Sequence, residues 1–340
     1  MTGARRDGRA DTSVTAPARV HLVASLGGHL DLLRAIGDTF AGHRRVWVTA
    51  PGRAAQELAE GGETVRVLPP FDADHPNLAN PRRSAGLALR ERPELVVTSG
   101  AGFAAAFCVA ARLGGARVLF VETMARVRSS SRGGRVLSAL AARTFVQWPE
   151  MAAVHRGAVV CRPALLEGAG AAGPPPPGTG TFVALGSHPA GFERCLRLVD
   201  DAVAAGVLPA PVRAQAGHTE YVPRSFRPEP WLPPTAMGEA IERAAVVVCH
   251  GGAGIIGSVL RAGRRPIVVP RRRVHGEHVD DHQLEIAGRL GALDLVVPVE
   301  ERISAADVAA AGRPVAPVAE WAALPSLETA VGAELARLTA

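Results

Sequence analysis

The fold of this chain is decided by the stretch Cys249–Gln283, which reads CHGGAGIIGSVLRAGRRPIVVPRRRVHGEHVDDHQ. An apolar run before it, Ala244–Val248, predicts a buried strand that leads into the glycine-rich turn, and a helical pattern starts at Ile255. Glycines between a strand and a helix let a ligand approach the backbone, and the first free N–H groups of the helix then face that ligand. The arrangement is typical of a phosphate or diphosphate site, although a tight strand-to-helix connection can have the same sequence.

A second predicted strand, Pro266–Pro270, is followed by a loop rich in arginine, histidine and acidic residues. Polar groups beyond the carboxyl end of such a strand lie where open α/β sheets bind ligands. Strands alternate with helices on both sides of this stretch, first from Val20–Ser25 to Thr144–Gln147 and again from Phe182–Leu185 onward. This alternation predicts an α/β protein with parallel sheets that are covered by helices on both faces.

Composition divides the chain into four parts. Residues 1–17 are polar and basic and predict a disordered tail, and residues 18–167 predict the first α/β domain. Residues 168–180, GAGAAGPPPPGTG, have no apolar period and predict a linker in which the proline run is a semi-rigid spacer. Residues 181–340 predict a second α/β domain that ends in a helix near Leu327–Leu338.

The charge of the chain points to anionic partners. All 38 basic residues are arginine, so a Walker A lysine and a lysine Schiff base are both excluded. A net charge of +6 suits nucleotides, diphosphates or an anionic membrane surface, while a simple bias toward arginine is the alternative explanation. No basic run is interleaved with aromatic residues, so we expect no nucleic-acid partner.

The cysteines and the termini bear on location and on metals. The four cysteines are far apart and form no CxxC, so we expect neither a zinc site nor a disulfide framework, and a reducing cytoplasm is the natural location. No signal peptide and no membrane-spanning run is visible, so any contact with the inner face of the cell membrane would be peripheral. Asp72-Ala73-Asp74 has the letters of a DxD metal clamp but falls in a loop of the first half, and we expect no metal and no cofactor.

Several motifs occur together and in a definite order. The first half contains ASLGGHLDLL, SGAGF, VETMARV and VQWPE, and the second contains ALGSHPAGF, AQAGHTEYVP, HGGAG and EHVDDHQ. This pattern resembles the GT-B glycosyltransferases, which have two Rossmann-like domains facing each other across a cleft. It most resembles the UDP-N-acetylglucosamine transferase of lipid-linked oligosaccharide assembly and its bacterial exopolysaccharide counterparts. In many of these enzymes the two halves are separate chains, and here they resemble a fusion with the acceptor-side half first. The resemblance also implies that the final helix, near Leu327–Leu338, crosses back to the first domain.

The resemblance implies an inverting transfer from a UDP-sugar to a lipid-diphosphate-linked or polysaccharide-precursor acceptor. It implies that Glu277 accepts hydrogen bonds from the ribose, and that the three residues 281–283 contact the hydroxyl groups of the donor sugar. An ordinary capped helix start is the alternative for those three. The complete set of expected donor-binding residues is Gly186, Ser187, His188, Gln215, His218, His250, Gly251, Gly252, Ala253, Gly254, Glu277, Asp281, His282 and Gln283.

The first half must supply a base for the acceptor hydroxyl. His29 follows a Gly-Gly turn at the end of the first strand, and an imidazole with a pKa near neutrality suits the task, although His29 could instead cap the next helix. Glu122 ends a strand on the same edge and is the second candidate. The residues that we expect to contact the acceptor are Gly27, Gly28, Gly100, Gly102, Arg126 and Arg128.

Three other functions remain open from the sequence. One is a glycosyltransferase that decorates a small soluble metabolite, and another is a nucleotide-sugar epimerase. The third is a non-catalytic subunit that binds a sugar nucleotide but has no competent base. Release of free UDP only in the presence of an acceptor would separate transfer from epimerisation.

Overall fold

The computed structural model describes residues 18–69, 79–100, 102–171, 173, 175–186 and 188–339, and of Ala79 and Thr339 only the backbone. The predicted tail, the Asp72-Ala73-Asp74 sequence and Ser187 lie outside these residues. The described chain forms two parallel sheets, one of seven strands and one of five.

The first sheet has the strand order β3-β2-β1-β4-β5-β6-β7, and all of its pairs are parallel. Its strands are β1 (Arg19–Ala24), β2 (Arg44–Thr49), β3 (Val65–Val67), β4 (Leu95–Gly100), β5 (Arg117–Val121), β6 (Arg143–Val146) and β7 (Val159–Val160). The connecting helices are α1 (Gly28–Ala35), α2 (Arg53–Glu60), α3 (Ala79–Glu91), α4 (Ala104–Leu113) and α5 (Arg132–Leu140). The central strands are runs of Val and Leu because both faces of the sheet are covered.

The second sheet has the order β12-β11-β10-β8-β9 and is also parallel throughout. Its strands are β8 (Thr181–Ala184), β9 (Val212–Gln215), β10 (Val246–His250), β11 (Ile267–Val269) and β12 (Val297–Pro298). The helices of this half are α6 (Glu193–Ala204), α7 (Pro234–Arg243), α8 (Ala253–Arg261), α9 (His282–Ala292), α10 (Ala305–Ala311) and α11 (Leu327–Thr339).

The strand order reverses once in each sheet, between β1 and β4 and between β8 and β10. Loops that leave the carboxyl ends of two strands on either side of such a reversal diverge and leave a crevice. In the first sheet this crevice holds the turn after β1, and in the second it holds the turn from β10 into α8. The two turns carry the Gly-Gly-His and His-Gly-Gly motifs found in the sequence.

The last helix packs on the first sheet rather than on the second. Leu327, Val331 and Leu335 of α11 are buried in the same core as Phe40 and Phe145. The chain therefore crosses back after completing the second sheet, and the first core is finished by the C-terminal helix.

The segment 168–180 contains no helix or strand in its described residues, and it lies against the second sheet's domain. The guanidinium of Arg264 donates to the Pro176 carbonyl at 3.1 Å, and the Thr179 N–H donates to the Arg243 carbonyl at 2.8 Å. A Cβ on Gly178 would overlap the Ala244 backbone. The segment is thus packed rather than free-standing, and its use as the boundary between two units stays a prediction.

The apolar run Leu293–Val297 also predicts a strand, and the structure shows that these bounds are wrong. Helix α9 continues to Ala292, a turn with Asp294 at φ 55° follows, and β12 begins only at Val297. None of the helices in the described ranges has both the length and the apolarity that crossing a bilayer requires.

Candidate active site

A cavity of about 390 Å³ lies between the carboxyl ends of the two sheets. The first half contributes Gly28, His29, Leu32, Thr123, Met124, Ala125, Arg126 and Leu165. The second half contributes Gly252, Ala253, His278, Val279 and His282. The cavity therefore brings together six of the residues predicted from sequence, three from each half, namely Gly28, His29, Arg126, Gly252, Ala253 and His282.

His29 is held in one orientation by the strand beside it. Its Nδ1 lies 2.8 Å from the carbonyl oxygen of Ser99, and the Ser99 hydroxyl donates to the carbonyl of His29 at 2.9 Å. Because a carbonyl can only accept, Nδ1 carries the proton and Nε2 keeps its lone pair. Burial lowers the pKa of His29 below its ordinary value of 6.5, so the neutral form is favoured. His29 therefore has the tautomer and the charge that a general base requires.

Glu122 is placed differently from the expectation. Its carboxylate is buried and accepts from the Ser130 hydroxyl at 2.9 Å and from the Thr123 N–H at 3.2 Å. The buried ring of His155 lies 3.2 Å from the same carboxylate. Glu122 does not line the cavity, so the structure does not place it where it could take a proton from an acceptor directly. It contributes negative charge near His29, which acts to raise the pKa of that imidazole against the effect of burial.

The glycine-rich turn that the sequence predicts between a strand and a helix is present at the start of α8. Gly252 precedes the first helical residue, Ala253, and both line the cavity. The ring of His250 fills the space behind the turn, with Nδ1 3.3 Å from the carbonyl of Ala184, and burial lowers the pKa of His250 to about 4. A Cβ on Gly252 would overlap Nε2 of His250, and a Cβ on Gly186 would lie 2.7 Å from Cε1 of the same ring. Both glycines are required because the ring packs between them.

Two of the residues expected to contact the donor sugar have other partners. Gln283 is buried, and its Oε1 accepts from the N–H groups of Gly251 and Arg271, each at 3.0 Å. Asp281 is exposed and accepts from the Arg273 N–H at 2.8 Å. Neither residue lines the cavity. Gln283 fixes the ends of β10 and β11 relative to each other, whereas His282 alone of the three faces the cavity.

A buried arginine network supports the donor side and was not anticipated. Arg271 is 1% exposed, donates to the carbonyls of Leu185, Gly191 and Glu277, and its guanidinium lies 4.5 Å from the centre of the Phe192 ring. Both carboxylate oxygens of Glu277 accept from Arg194 at 2.9 Å. A contact between Glu277 and a ribose would therefore have to share oxygens that are already bonded. The sequence signal for this network was the presence of Arg271 and Glu277 in the loop after β11. The sequence did not show that Glu277 pairs with Arg194, which lies in a distant helix.

His278, Asp280 and His282 lie together at the rim of the cavity. Within the described residues they are the one group of three His, Cys, Asp or Glu side chains close enough to share a metal ion. Their atoms are already engaged, since Asp280 pairs with Arg126 and His282, and His278 Nδ1 accepts from the Val279 N–H at 3.0 Å. The ring of His188 lies 4.8 Å from that of His278. Burial lowers the pKa of His278 to about 3 and also lowers the pKa of His188.

The remaining predicted donor residues that the structure describes do not line the cavity. Gln215 is buried, and its Nε2 donates to the Pro230 carbonyl at 3.1 Å, while its Oε1 has no partner among the described residues. His218 is exposed and packs edge-on against Trp231 at 5.3 Å. A Cβ on Gly254 would lie 3.0 Å from a carboxylate oxygen of Asp31, so α8 meets α1 at this point.

The expected acceptor residues separate into two groups. Gly27 starts α1 beside the cavity, and Gly100 lies beside the ring of His29. Gly102 is exposed at the next turn and does not line the cavity. Arg128 lines a different groove with Glu150 and Glu285, so the structure does not place it with Arg126.

Two protein-family models match parts of the chain, one in each half. Residues 80–161 match the model described as oligosaccharide biosynthesis protein Alg14 like, and residues 233–305 match the glycosyltransferase family 28 C-terminal domain. A comparison with curated protein sequences gave no match.

Solved structures with the same architecture include MurG of Acinetobacter baumannii, which is 16% identical over 94% of this chain and 99% of its own, with a TM-score of 0.61. The spinosyn forosaminyltransferase SpnP is 15% identical over 95% and 100%, with a TM-score of 0.60. A UDP-N-acetylglucosamine 2-epimerase from Rickettsia bellii is 10% identical over 95% and 96%, with a TM-score of 0.62.

At these identities the solved structures establish the fold, which is GT-B with two Rossmann-like domains. Because transferases and an epimerase share it, the fold does not choose between those reactions. The family matches do, since each covers part of one half of the chain and one is a transferase domain by description. The chain is a glycosyltransferase of the GT-B fold, and its residues 233–305 match the family 28 C-terminal domain.

Proposed function

We propose that the chain transfers a sugar from a UDP-sugar, with inversion, to an acceptor in which a sugar is linked to a lipid diphosphate. The observation that supports this most is the composition of one cavity. A histidine with a free Nε2 stands on the wall of the first half, and the N-terminus of α8 opens on the wall of the second. The two groups supply the two kinds of help that an inverting transfer needs.

The proposed step uses these groups in sequence. The acceptor oxygen attacks the anomeric carbon from the face opposite the diphosphate, and its proton passes to Nε2 of His29. The bond between the anomeric carbon and the phosphate oxygen breaks, and its electron pair leaves with UDP. Free N–H groups at the start of α8 stabilise the charge on the leaving diphosphate. We therefore propose that the step requires no metal ion.

The nature of the acceptor is supported by the first half. The Alg14-like match lies there, ahead of the family 28 domain, which is the order expected if an acceptor half and a catalytic half are fused in one chain. Arg126 lines the cavity on the acceptor side and can pair with a phosphate of the lipid diphosphate.

A surface of the first half suits peripheral contact with an anionic membrane. Helices α3, α4 and α5 pack side by side. They expose the apolar side chains of Leu89, Val109, Leu113 and Val136, with Leu113 84% exposed, and the arginines Arg82, Arg83, Arg90, Arg112, Arg132 and Arg135. Apolar side chains flanked by arginine bind the interface between water and anionic lipid.

The first experiment is a calorimetric and thermal-shift screen with UDP and UDP-sugars, followed by transfer assays with and without a lipid-diphosphate-linked sugar. We expect UDP to bind. At a UDP concentration of ~100 times its Kd, the folded state should be stabilised by about 2.7 kcal/mol. We expect UDP to be released only when the acceptor is present. We expect this release to continue when EDTA is added. UDP release with soluble acceptors alone would favour a metabolite-decorating enzyme, and absence of UDP binding would overturn the proposal.

A further inference from the structure

Asp280 lies between the two halves of the protein. One of its carboxylate oxygens is 2.5 Å from the guanidinium of Arg126, which belongs to the loop after β5. The other is 2.5 Å from Nδ1 of His282, the first residue of α9. The hydrogen bond from His282, with the nearby Arg126, holds the pKa of Asp280 well below its usual range, so the group is a carboxylate at all ordinary pH.

This pairing determines the tautomer of His282. An ionised carboxylate only accepts hydrogen bonds, so Nδ1 of His282 must carry the proton that it shares with Asp280. The remaining ring nitrogen, Nε2, is then the one atom of the imidazole left for a ligand. His282 lines the cavity, and its ring is fixed on another side by an edge-on contact with His278 at 4.5 Å.

The link to the first half is reinforced next to Asp280. Glu285, one turn into α9, accepts from the backbone N–H groups of Val127, Arg128 and Ser129 at 3.0 to 3.3 Å and from the Ser129 hydroxyl at 2.5 Å. The loop that carries Arg126 is thus tied to α9 across the cleft. Separation of the two halves would take away both Arg126 and the anchor of its loop.

We propose that Asp280 is a positioning residue that presents Nε2 of His282 to the donor substrate, and that Arg126 makes this arrangement depend on contact between the two halves. The inference rests on the proposed function, because the donor that His282 meets is taken to be a UDP-sugar. Contact between the halves then orders the donor site as well as bringing the base to the acceptor.

The kinetic test is Asp280→Asn, which keeps the size of the side chain but removes the charge that fixes the imidazole. We expect kcat to fall ~10- to 100-fold while the calorimetric Kd for UDP changes less than about threefold. Asp280→Glu should recover part of kcat. Asp201→Asn, which removes an exposed carboxylate of α6, is the matched control and should behave as wild type. A loss of UDP affinity and melting temperature with unchanged kcat would mean a purely structural role and overturn the proposal.

The spectroscopic test needs no substrate. In ¹⁵N NMR spectra of the ligand-free protein, the ring signals of His282 are identified as those that disappear in His282→Gln. These signals should show that Nδ1 is protonated. That signal should change in Asp280→Asn and broaden in Arg126→Met. An unchanged signal in both variants would overturn the proposal even if UDP binds. If wild type binds no UDP, the proposed function fails, while the tautomer result still decides whether Asp280 positions His282.

Discussion

At the scale of single residues, the chemistry of the cleft depends on which nitrogen of each histidine is free. Ser99 fixes His29 through its backbone carbonyl, and Asp280 fixes His282 through its carboxylate. The two rings differ in their partners, because the Ser99 carbonyl is neutral whereas the Asp280 side chain is a carboxylate. Burial lowers the pKa of His29 and favours its neutral form, so His29 is suited to receive a proton, and we propose that His282 presents Nε2 to the donor.

We predict that His29→Ala lowers kcat by ~10²–10⁴-fold, the usual cost of losing a positioned general base. The Kd for UDP should be nearly unchanged because the donor contacts lie on the other half. In wild type, kcat/KM should rise with pH as His29 loses its proton. Because burial lowers the pKa of His29, the midpoint of that rise should lie below 6.5.

The control for this prediction is His43→Ala, which changes a histidine just before β2, at the amino ends of the strands and so at the opposite end of the sheet from the cavity. Steady-state kinetics from pH 5 to 8 and UDP calorimetry are the measurements. If His29→Ala keeps normal turnover, the base is another group. A midpoint above 6.5 would contradict the assignment of the rise to His29.

At the scale of elements, the sequence predicted most strands and both glycine-rich turns, since apolar runs and glycine clusters are local signals. The start of α8 and the turn after β1 both lie where the sequence put them. Roles that depend on distant partners were not predictable. Gln283 and Glu277 resemble ligand-binding residues in the sequence, but backbone and arginine groups far along the chain already bond to them.

We predict that Gly252→Ala weakens UDP binding at least ~10-fold. The added Cβ would overlap Nε2 of His250, so the ring must turn and disturb the N–H groups at the start of α8. Gly288→Ala is the matched control, because a Cβ on this exposed residue of α9 meets nothing within 4 Å. It should leave UDP affinity unchanged and raise the unfolding free energy by about 0.5–1 kcal/mol. Equal UDP affinity in the two variants, measured by calorimetry, would show that this turn does not bind the diphosphate.

At the scale of the whole molecule, the two halves are joined by more than the segment 168–180. Helix α11 completes the core of the first half, and the pairs Arg126–Asp280 and Glu150–Arg289 cross the cleft. Sequence periodicity predicted a helix at α11, but the return of this helix to the first half was implied only by the resemblance to the GT-B glycosyltransferases, because an amphipathic pattern does not specify a partner. Because α11 follows the second sheet in the chain but packs in the core of the first, the two halves are not structurally independent.

We therefore predict that residues 1–170 and 178–340, co-expressed as separate chains, associate and restore transfer, and that α11 is required for the association. Leu327 is fully buried in the first core, so Leu327→Ala should cost about 2–5 kcal/mol and abolish co-purification of the two pieces. Glu328→Ala, on the exposed side of the same helix, should leave it intact. The second piece alone should bind UDP but transfer no sugar, since His29 and Arg126 lie in the first. Transfer by the second piece alone would show that the first half does not supply the base. Co-purification that survives removal of residues 325–340 would show that α11 is not required for the association.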